Sequence, residues 1–280
     1  MEIGNLDQRI CDLIQTNNGN IIASFTRGFI FVFKLNSTSY ELIQKIKAHD
    51  DACDVEKTIE IKDGRLISCS NDNTIKIWKY NNNKYTLENI LRAKKSKKVL
   101  DKRRERRFLF DICCHLGRTN EYDIYYDVDD ILELNNNIIV SIPNVNGPII
   151  FWNIKELQME CKFKGICRDR GNILKKLSNK LFIVGGVKYI YLFSILNYKL
   201  INKIEINYKC SNICCLSDGN ILTGHEDGII RQYNLINNEL KLIGEKKYHS
   251  DWIITILQLK KDLIISTSYD KKIKLFQIYK

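Results

Sequence analysis

The chain has 280 residues, of which 44% are hydrophobic and 28% charged, and its formal net charge at pH 7 is +11. Its apolar residues fall in short runs that stay below the roughly 18 consecutive apolar residues of a membrane-spanning helix, which argues against a transmembrane protein. The first residues, MEIGNLDQRICDL, carry charges where a secretory signal needs an unbroken apolar core. We therefore expect a protein of the cytoplasm, with the nucleus as the alternative.

Along the chain the same cassette recurs six times: an apolar run, a polar turn, a second apolar run, another turn and a third run that ends on an aromatic residue. The first cassette begins near Ile10, and the clearest copy spans Lys57 to Tyr80. In that copy Ile75 and Ile77 alternate with polar residues, which predicts a half-buried strand after a tight turn. The closing aromatics are Phe33, Trp78, Trp152, Phe193, Tyr233 and Phe276. Except for one enlarged gap, their spacing of about 40 to 45 residues is typical of the four-stranded blades of a β-propeller.

Three segments carry the residues of a known repeat. They are LISCSNDNTIKIW (Leu66 to Trp78), LIISTSYDKKIKLF (Leu263 to Phe276) and, more loosely, ILTGHEDGIIRQY (Ile221 to Tyr233). Through them the chain resembles the WD40-repeat family. The resemblance implies an all-β, WD40-like β-propeller of four-stranded blades that forms one domain over residues 1–280, and the count of six cassettes predicts six blades. Residues 92–125 would then be an insertion after the second blade, and seven blades are the alternative because Phe108 to Tyr126 could hold a degenerate one.

In that family a His before the first strand, a Ser or Thr on the second, an Asp in the next turn and a Trp on the third form a hydrogen-bonded tetrad. By resemblance, the second cassette carries a full set and the last cassette a partial one. The full set is His49, Ser68 or Ser70, Asp72 and Trp78, and the partial set is His249, Ser266 or Ser268, and Asp270. The last cassette ends in Phe276, which has no N–H donor for the network. Elsewhere Arg27 and Asn146 stand where Asp is expected, and the cassette of Asp227 lacks the preceding His.

The ten cysteines form no CxxC pair, and we interpret them as free thiols of a reducing compartment. Cys69, for example, falls inside a predicted strand, where Cys behaves as a small hydrophobe. His115 beside Cys113 and Cys114 is the one combination that hints at a metal, but it lacks a second pair of ligands. We therefore predict no metal site and no cofactor.

The enlarged gap between the second and third cassettes carries a strongly basic segment. Arg92 to Arg107, RAKKSKKVLDKRRERR, has ten Lys or Arg against Asp101 and Glu105, a net of 10 − 2 = +8 within a chain of +11. The candidate residues of this basic insertion are Lys94, Lys95, Lys97, Lys98, Lys102, Arg103, Arg104, Arg106 and Arg107. Three interpretations stay open: a solvated loop, contact with the phosphates of nucleic acid or the ribosome, and a nuclear import signal.

The family resemblance also suggests where a partner would bind. Asn71, Glu226 and Tyr269 fall in turns between second and third strands, with His225 nearby, on the face carrying the inter-blade loops that many WD40 proteins use for partners. Because aromatic residues dominate interface energetics, we expect Tyr269 and Trp252 to be the main anchors of binding. Trp252 could equally belong to the core, and we favour the core because the segment WIITILQL has the pattern of an inner strand.

The last blade poses a separate question, because its third strand ends at the end of the sequence. Glu2 to Leu6 could supply the fourth strand, or a partner strand could complete the blade, since an open strand edge recruits other strands. Both options stay open from the sequence.

The sequence contains no phosphate-binding glycine loop, nucleophile elbow or metalloprotease motif. Asp72, Asp227 and Asp270 could be taken for catalytic acids, but their place in a repeating turn indicates a structural role. We therefore expect a protein that is not an enzyme and that mediates protein–protein interaction within a multiprotein complex. The alternative is a nucleic-acid or ribonucleoprotein-associated propeller tethered through the basic insertion, whose binding would fall steeply with salt.

Overall fold

The computed structural model describes residues 8–36, 39–92, 127–143, 147–167 and 173–277. In these residues the chain forms six sheets and one short 3-10 turn, Thr26–Gly28. Within each sheet, strands that follow each other along the chain are hydrogen-bonded neighbours. None of the described residues belongs to a helix long and apolar enough to cross a membrane.

The first three sheets follow the first three cassettes of the sequence. Sheet 1 contains β1 (Ile10–Gln15), β2 (Ile21–Phe25), β3 (Phe29–Leu35) and β4 (Tyr40–Lys47). Sheet 2 contains β5 (Val55–Glu60), β6 (Leu66–Ser70), β7 (Ile75–Asn81) and β8 (Lys84–Leu91). Sheet 3 contains β9 (Asp130–Asn135), β10 (Ile138–Ile142), β11 (Gly147–Asn153) and β12 (Gln158–Cys167).

The last three sheets follow the remaining cassettes. Sheet 4 contains β13 (Ile173–Lys176), β14 (Leu181–Gly185), β15 (Tyr189–Ser194) and β16 (Leu200–Glu205). Sheet 5 contains β17 (Cys210–Cys215), β18 (Ile221–His225), β19 (Ile229–Ile236) and β20 (Glu239–Lys247). Sheet 6 contains β21 (Ile253–Lys260), β22 (Leu263–Ser268) and β23 (Ile273–Gln277).

The prediction of an all-β, WD40-like propeller fold with six blades is confirmed. Each closing aromatic lies on the third strand of its sheet, and β1 begins at the predicted Ile10. Five blades have the predicted four strands, whereas the sixth has three within the described residues. Those residues form no seventh sheet, and Phe108 to Tyr126, where a degenerate blade was expected as the alternative, lies outside them.

By its internal contacts the chain divides into two compact units. The first comprises Met1–Asn144 with Trp152–Glu160, and the second comprises Val145–Phe151 with Cys161–Lys280. The organisation of residues 1–280 as one domain with an insertion at 92–125 therefore stays a prediction.

In the first unit, the third strand of sheet 1 packs against sheet 2. Ile30 and Val32 of β3 lie in one buried cluster with Val55, Leu66 and Trp78 of sheet 2. Ile30 and Val32 stand three and one residues before the closing aromatic of their own sheet, and they share this cluster with the closing aromatic of the next sheet. One face of the third strand is thus buried by the blade that follows it.

The second unit repeats this arrangement twice. Ile190 and Leu192 of sheet 4 share a buried cluster with Tyr233, the closing aromatic of sheet 5. Ile230 of sheet 5 lies in another cluster, against which Phe276 of sheet 6 packs. In these three pairs of sheets, the residue three positions before the closing aromatic (Ile30, Ile190 or Ile230) packs against the following blade.

Two glycines fix the loops that carry the histidines before sheets 2 and 6. The carbonyl of Gly28 accepts the N–H of His49 at 2.9 Å, and the carbonyl of Gly228 accepts that of His249 at 3.0 Å. Both glycines have positive φ, +74° and +76°. A Cβ would lie 2.2 Å from the carbonyl oxygen of His49 or 2.1 Å from that of His249, so only glycine permits this close approach.

We therefore expect Gly228→Ala to lower the free energy of unfolding by about 3 kcal/mol or more, because strain at positive φ adds to a clash with backbone. Gly219→Ala is the matched control, since Gly219 has φ +88° but no atom within 4 Å of the added Cβ. It should cost only about 1 to 2 kcal/mol from the backbone conformation. Urea unfolding of both variants measures the difference. Equal losses would show that the contact with His249 does not constrain the fold.

Candidate partner-binding site

A buried hydrogen-bonded network ties sheet 2 together. Trp78 Nε1 donates to Ser68 Oγ at 2.9 Å, and Ser68 Oγ lies 2.8 Å from His49 Nε2. On the other side of the ring, His49 Nδ1 lies 2.9 Å from Asp72 Oδ2. The distances are consistent with one direction of donation, in which the Ser68 hydroxyl donates to Nε2 and the Nδ1–H donates to the carboxylate.

Burial and this network set the protonation states of the pair. Desolvation lowers the pKa of His49, which keeps the ring neutral. Burial would raise the pKa of Asp72, but the hydrogen bonds from His49 and Thr74 and the nearby charge of Lys76 outweigh it and hold the pKa of Asp72 at about 2. A neutral imidazole that donates to a carboxylate therefore links the loop before sheet 2 to the turn between its second and third strands.

Sheet 6 has the same network without its last member. His249 Nδ1 lies 2.9 Å from Asp270 Oδ2, and His249 Nε2 lies 2.7 Å from Ser266 Oγ. Although burial opposes the shift, the hydrogen bond from His249 lowers the pKa of Asp270 to about 2. Phe276 stands where Trp78 stands in sheet 2 and offers no donor to Ser266.

The second serine of each predicted pair has a different place. Ser70 Oγ accepts the backbone N–H of Asp72 at 3.1 Å, and Ser268 Oγ accepts that of Asp270 at 3.0 Å. These two serines fix the turn that carries the aspartate, and they do not contact the histidines. The hydroxyl that contacts the histidine therefore comes from the first serine of each predicted pair, which is Ser68 in sheet 2 and Ser266 in sheet 6.

In sheet 5 the aspartate of the turn pairs with an arginine, whereas in sheets 2 and 6 it accepts from a histidine. Asp227 Oδ2 accepts from Arg231 Nη2 at 2.8 Å, and Arg231 Nε donates to Glu245 at 3.0 Å. His225, on the same sheet, is fully buried, with Thr223 Oγ1 2.7 Å from its Nε2 and the carbonyl of Tyr208 3.0 Å from its Nδ1. Burial lowers the pKa of His225 to about 4. Its side chain cannot contact a partner in this structure, which corrects its assignment as a binding candidate.

An exposed aromatic patch lies at the loop end of sheets 5 and 6. Trp252 and Tyr269 are 38% and 63% exposed, and their ring centroids are 6.1 Å apart in an edge-to-face arrangement. Lys209 Nζ lies 5.1 Å from the centroid of the Trp252 ring. The backbone N–H of Tyr269 donates to the carbonyl of Trp252 at 3.0 Å, which ties the two loops together. We call Lys209, Trp252 and Tyr269 the loop-face patch.

The placement of Trp252 corrects its interpretation as core. The apolar run continues through it in the sequence, but β21 begins one residue later, at Ile253. The loop before β21 is held in place at His249, and only three residues separate His249 from the first residue of the strand. Counting from that histidine could have placed Trp252 in the loop. The neighbouring Lys209 gives no comparable signal in the sequence.

The other predicted contacts lie in three different settings. Glu226 is half-buried, and its backbone N–H donates to the carbonyl of Lys209 at 3.1 Å, so its turn borders the loop-face patch. Asn71 belongs to the first unit, where its Oδ1 accepts the backbone N–H of Asp54 at 2.9 Å. The basic insertion, Lys94 to Arg107, lies outside the described residues, as does Asn146. Arg27, which stands in place of an aspartate, adopts a left-handed φ of 59°.

Seven cysteines of the described residues are free thiols, namely Cys11, Cys53, Cys69, Cys161, Cys210, Cys214 and Cys215. Burial raises the pKa of Cys69 and Cys210, which keeps these two thiols protonated and unreactive. The described part of the chain brings together no group of His, Cys, Asp and Glu that could hold a metal ion, and Cys113, Cys114 and His115 fall outside it.

Residues 40–79 match the family model described as WD domain, G-beta repeat. Among solved structures, a chain in the crystal structure of a mitotic checkpoint complex gives a TM-score of 0.73 at 10% identity, and the alignment covers 99% of this chain and 79% of that one. At this identity the likeness shows the fold alone. A comparison with curated proteins gives no match. The chain thus carries a WD40 repeat at residues 40–79 and has a WD40-like propeller fold.

The network of sheet 2 leads to a prediction about pH. Because the folded pKa of Asp72 lies below its unfolded value of about 3.9, the ionised carboxylate stabilises the fold above about pH 4, and this contribution is lost as the pH falls toward 2. We expect Asp72→Asn to lower the free energy of unfolding by roughly 2 kcal/mol near neutral pH and by much less near pH 2. Urea unfolding across this range measures the effect.

Asp262→Asn is the control, since Asp262 is exposed and outside the network. It should leave the free energy of unfolding nearly unchanged at both ends of the range. A constant loss for Asp72→Asn at every pH would contradict an ionic role for its carboxylate.

Proposed function

We propose that this protein is a non-enzymatic scaffold that binds one or more proteins on the face carrying the inter-blade loops, with the loop-face patch as a main contact. The observation that carries the proposal is the pair of adjacent, exposed rings of Trp252 and Tyr269, held together by a backbone hydrogen bond. Aromatic anchors of this kind contribute a large share of the binding free energy at protein interfaces. Two rings fixed before binding also lose little conformational entropy when a partner arrives.

The charges around the two rings suggest what a partner would present. Lys209 lies over one face of the Trp252 ring, and Asp251 accepts the backbone N–H of Trp252 at 2.7 Å. A partner that buries an apolar side chain against the rings would therefore also find one positive and one negative group at the edge. Such a mixed rim around an apolar centre is the usual anatomy of a protein interface.

The fold supports the same conclusion at a coarser level. A WD40-like propeller is generally a scaffold for protein interaction, and the similar solved structure comes from a multiprotein complex. The aspartates that could be taken for catalytic acids are engaged elsewhere: Asp72 and Asp270 accept from histidines, and Asp227 pairs with Arg231. These contacts favour a structural role for the three carboxylates over a catalytic one.

The alternative predicted from the sequence, a nucleic-acid tether through the basic insertion, receives no support from the described residues. Location in the cytoplasm or the nucleus also stays a prediction. The experiment below is designed to separate a scaffold from a tether.

We expect the double variant Trp252→Ala/Tyr269→Ala to lose its main co-purifying proteins by about tenfold or more. The measurement is affinity purification of the tagged protein from its native cells, with quantification of bound proteins. Both side chains are exposed, so the variant should fold, which circular dichroism checks. Tyr40→Ala is the matched control, because Tyr40 is an exposed aromatic on the outer strand of sheet 1.

The same purification is repeated with nuclease and with the charges of Lys94 to Arg107 replaced by Ser or Gln. A scaffold keeps its partners through both treatments. Loss of all partners in either case would instead identify the basic insertion as the working site, and partners that persist in the double variant would place the contact elsewhere.

A further inference from the structure

A charged cavity lies at the turns that join the first and second strands of sheets 1 and 2. In sheet 2 these turns are at the opposite end of the strands from the histidine network. The cavity has a volume of about 690 Å³, which falls within the range of small-molecule sites. Its walls carry three cationic and three carboxylate side chains and one aromatic ring, all from the first unit. A ligand here would therefore be polar or charged.

The carboxylates of this cavity are already engaged by protein groups. Glu60 Oε2 accepts the backbone N–H of Asn17 at 2.6 Å, which ties sheet 1 to sheet 2. Asp63 Oδ2 accepts from Arg65 Nη2 at 2.7 Å and from Nε at 3.0 Å, and Glu88 Oε2 accepts from Nη1 at 3.1 Å. Although burial opposes the shift, the hydrogen bonds from Arg65 lower the pKa of Asp63 and keep its carboxylate ionised. A cationic ligand would therefore have to compete for every carboxylate.

The cationic side chains, in contrast, keep unused donors. Lys62 and Lys79 are exposed and make no ion pair within the described residues. Arg65 uses three of its five N–H donors on Asp63 and Glu88, so two remain for a ligand. The same two carboxylates hold the guanidinium in one orientation, and the Arg65 side chain is only 21% exposed. The cavity thus offers positively charged donors around an arginine that is oriented before a ligand binds.

The aromatic part of the cavity wall is the ring of Tyr80. This ring packs against buried Tyr85, with ring centroids 4.7 Å apart. Its hydroxyl donates to Asn83 Oδ1 and accepts from Asn20 Nδ2, both at 3.4 Å. These contacts fix a half-buried ring against which an apolar or aromatic group of a ligand can pack.

The chemistry of these groups favours a phosphate over other anions. A phosphate monoester carries a charge of about −2 at neutral pH and three acceptor oxygens. Two unpaired ammonium groups match that charge, and the guanidinium of Arg65 matches the geometry of the oxygens. A monocarboxylate would satisfy fewer of these donors and would leave one ammonium group unmatched. The cavity also has room for an organic group beside the phosphate.

We propose that this cavity binds the phosphate monoester of a small organic molecule. Lys62, Lys79 and the remaining N–H groups of Arg65 bind the phosphate, and the organic part packs against Tyr80. The site goes beyond the proposed scaffold function and does not depend on it, because the loop-face patch belongs to the second unit. A negative result here leaves that proposal standing.

The test titrates the full chain with phenyl phosphate and follows the backbone amide signals by NMR. We expect a saturable shift of the Gly64 amide, which lies in the cavity wall. Lys62→Ala/Lys79→Ala should weaken binding by about tenfold or more. Lys34→Ala/Lys45→Ala is the matched control, because both lysines are exposed on sheet 1 and lie outside the cavity. This control removes the same charge and should bind like the wild type.

Two comparison probes separate the parts of the ligand. Inorganic phosphate lacks the ring and benzoate lacks the second negative charge, so each should bind several-fold more weakly than phenyl phosphate. Tyr80→Leu should reduce the advantage of phenyl phosphate over inorganic phosphate and leave the binding of inorganic phosphate unchanged. The amide spectrum of each variant also shows whether it is folded.

Four results would overturn the proposal. Shifts confined to residues outside the cavity would place the phosphate elsewhere, for example on the basic insertion. Equal weakening by the two double variants would indicate a general attraction between charges. Benzoate that binds as tightly as phenyl phosphate would remove the preference for phosphate. A phosphotyrosine peptide that binds more tightly than phenyl phosphate would make a protein segment the occupant.

Discussion

The fold depends on the contact between each blade and the next. A third strand such as β3 or β7 carries isoleucines that water would surround if the sheet stood alone, and burying one of them contributes about 1.5 to 3 kcal/mol. The following sheet supplies that cover with its closing aromatic, as Trp78 does for Ile30 and Tyr233 does for Ile190. Stability is therefore shared between neighbours, and no single sheet is expected to fold by itself.

The histidine networks fix the positions of the loops that precede these packed sheets. The carbonyl of Gly228 fixes the backbone of His249, and the ring of His249 holds Asp270 in the turn next to Tyr269. Asp270 in turn accepts the backbone N–H of Ser250, close to Trp252 in sequence. One buried imidazole thus fixes both loops of the loop-face patch. A partner would meet rings whose positions are already set, which lowers the entropic cost of binding.

The sequence predicted what depends on local pattern. Alternation and turns were sufficient to place the third strands and to count the blades, because these features repeat at a fixed period. They could not choose between Ser68 and Ser70, since both lie on one face of β6 and the choice depends on the distance to His49. They also favoured the core for Trp252, because its apolar run is continuous with the strand. The strand nevertheless begins only at Ile253, since the loop before it is held at His249.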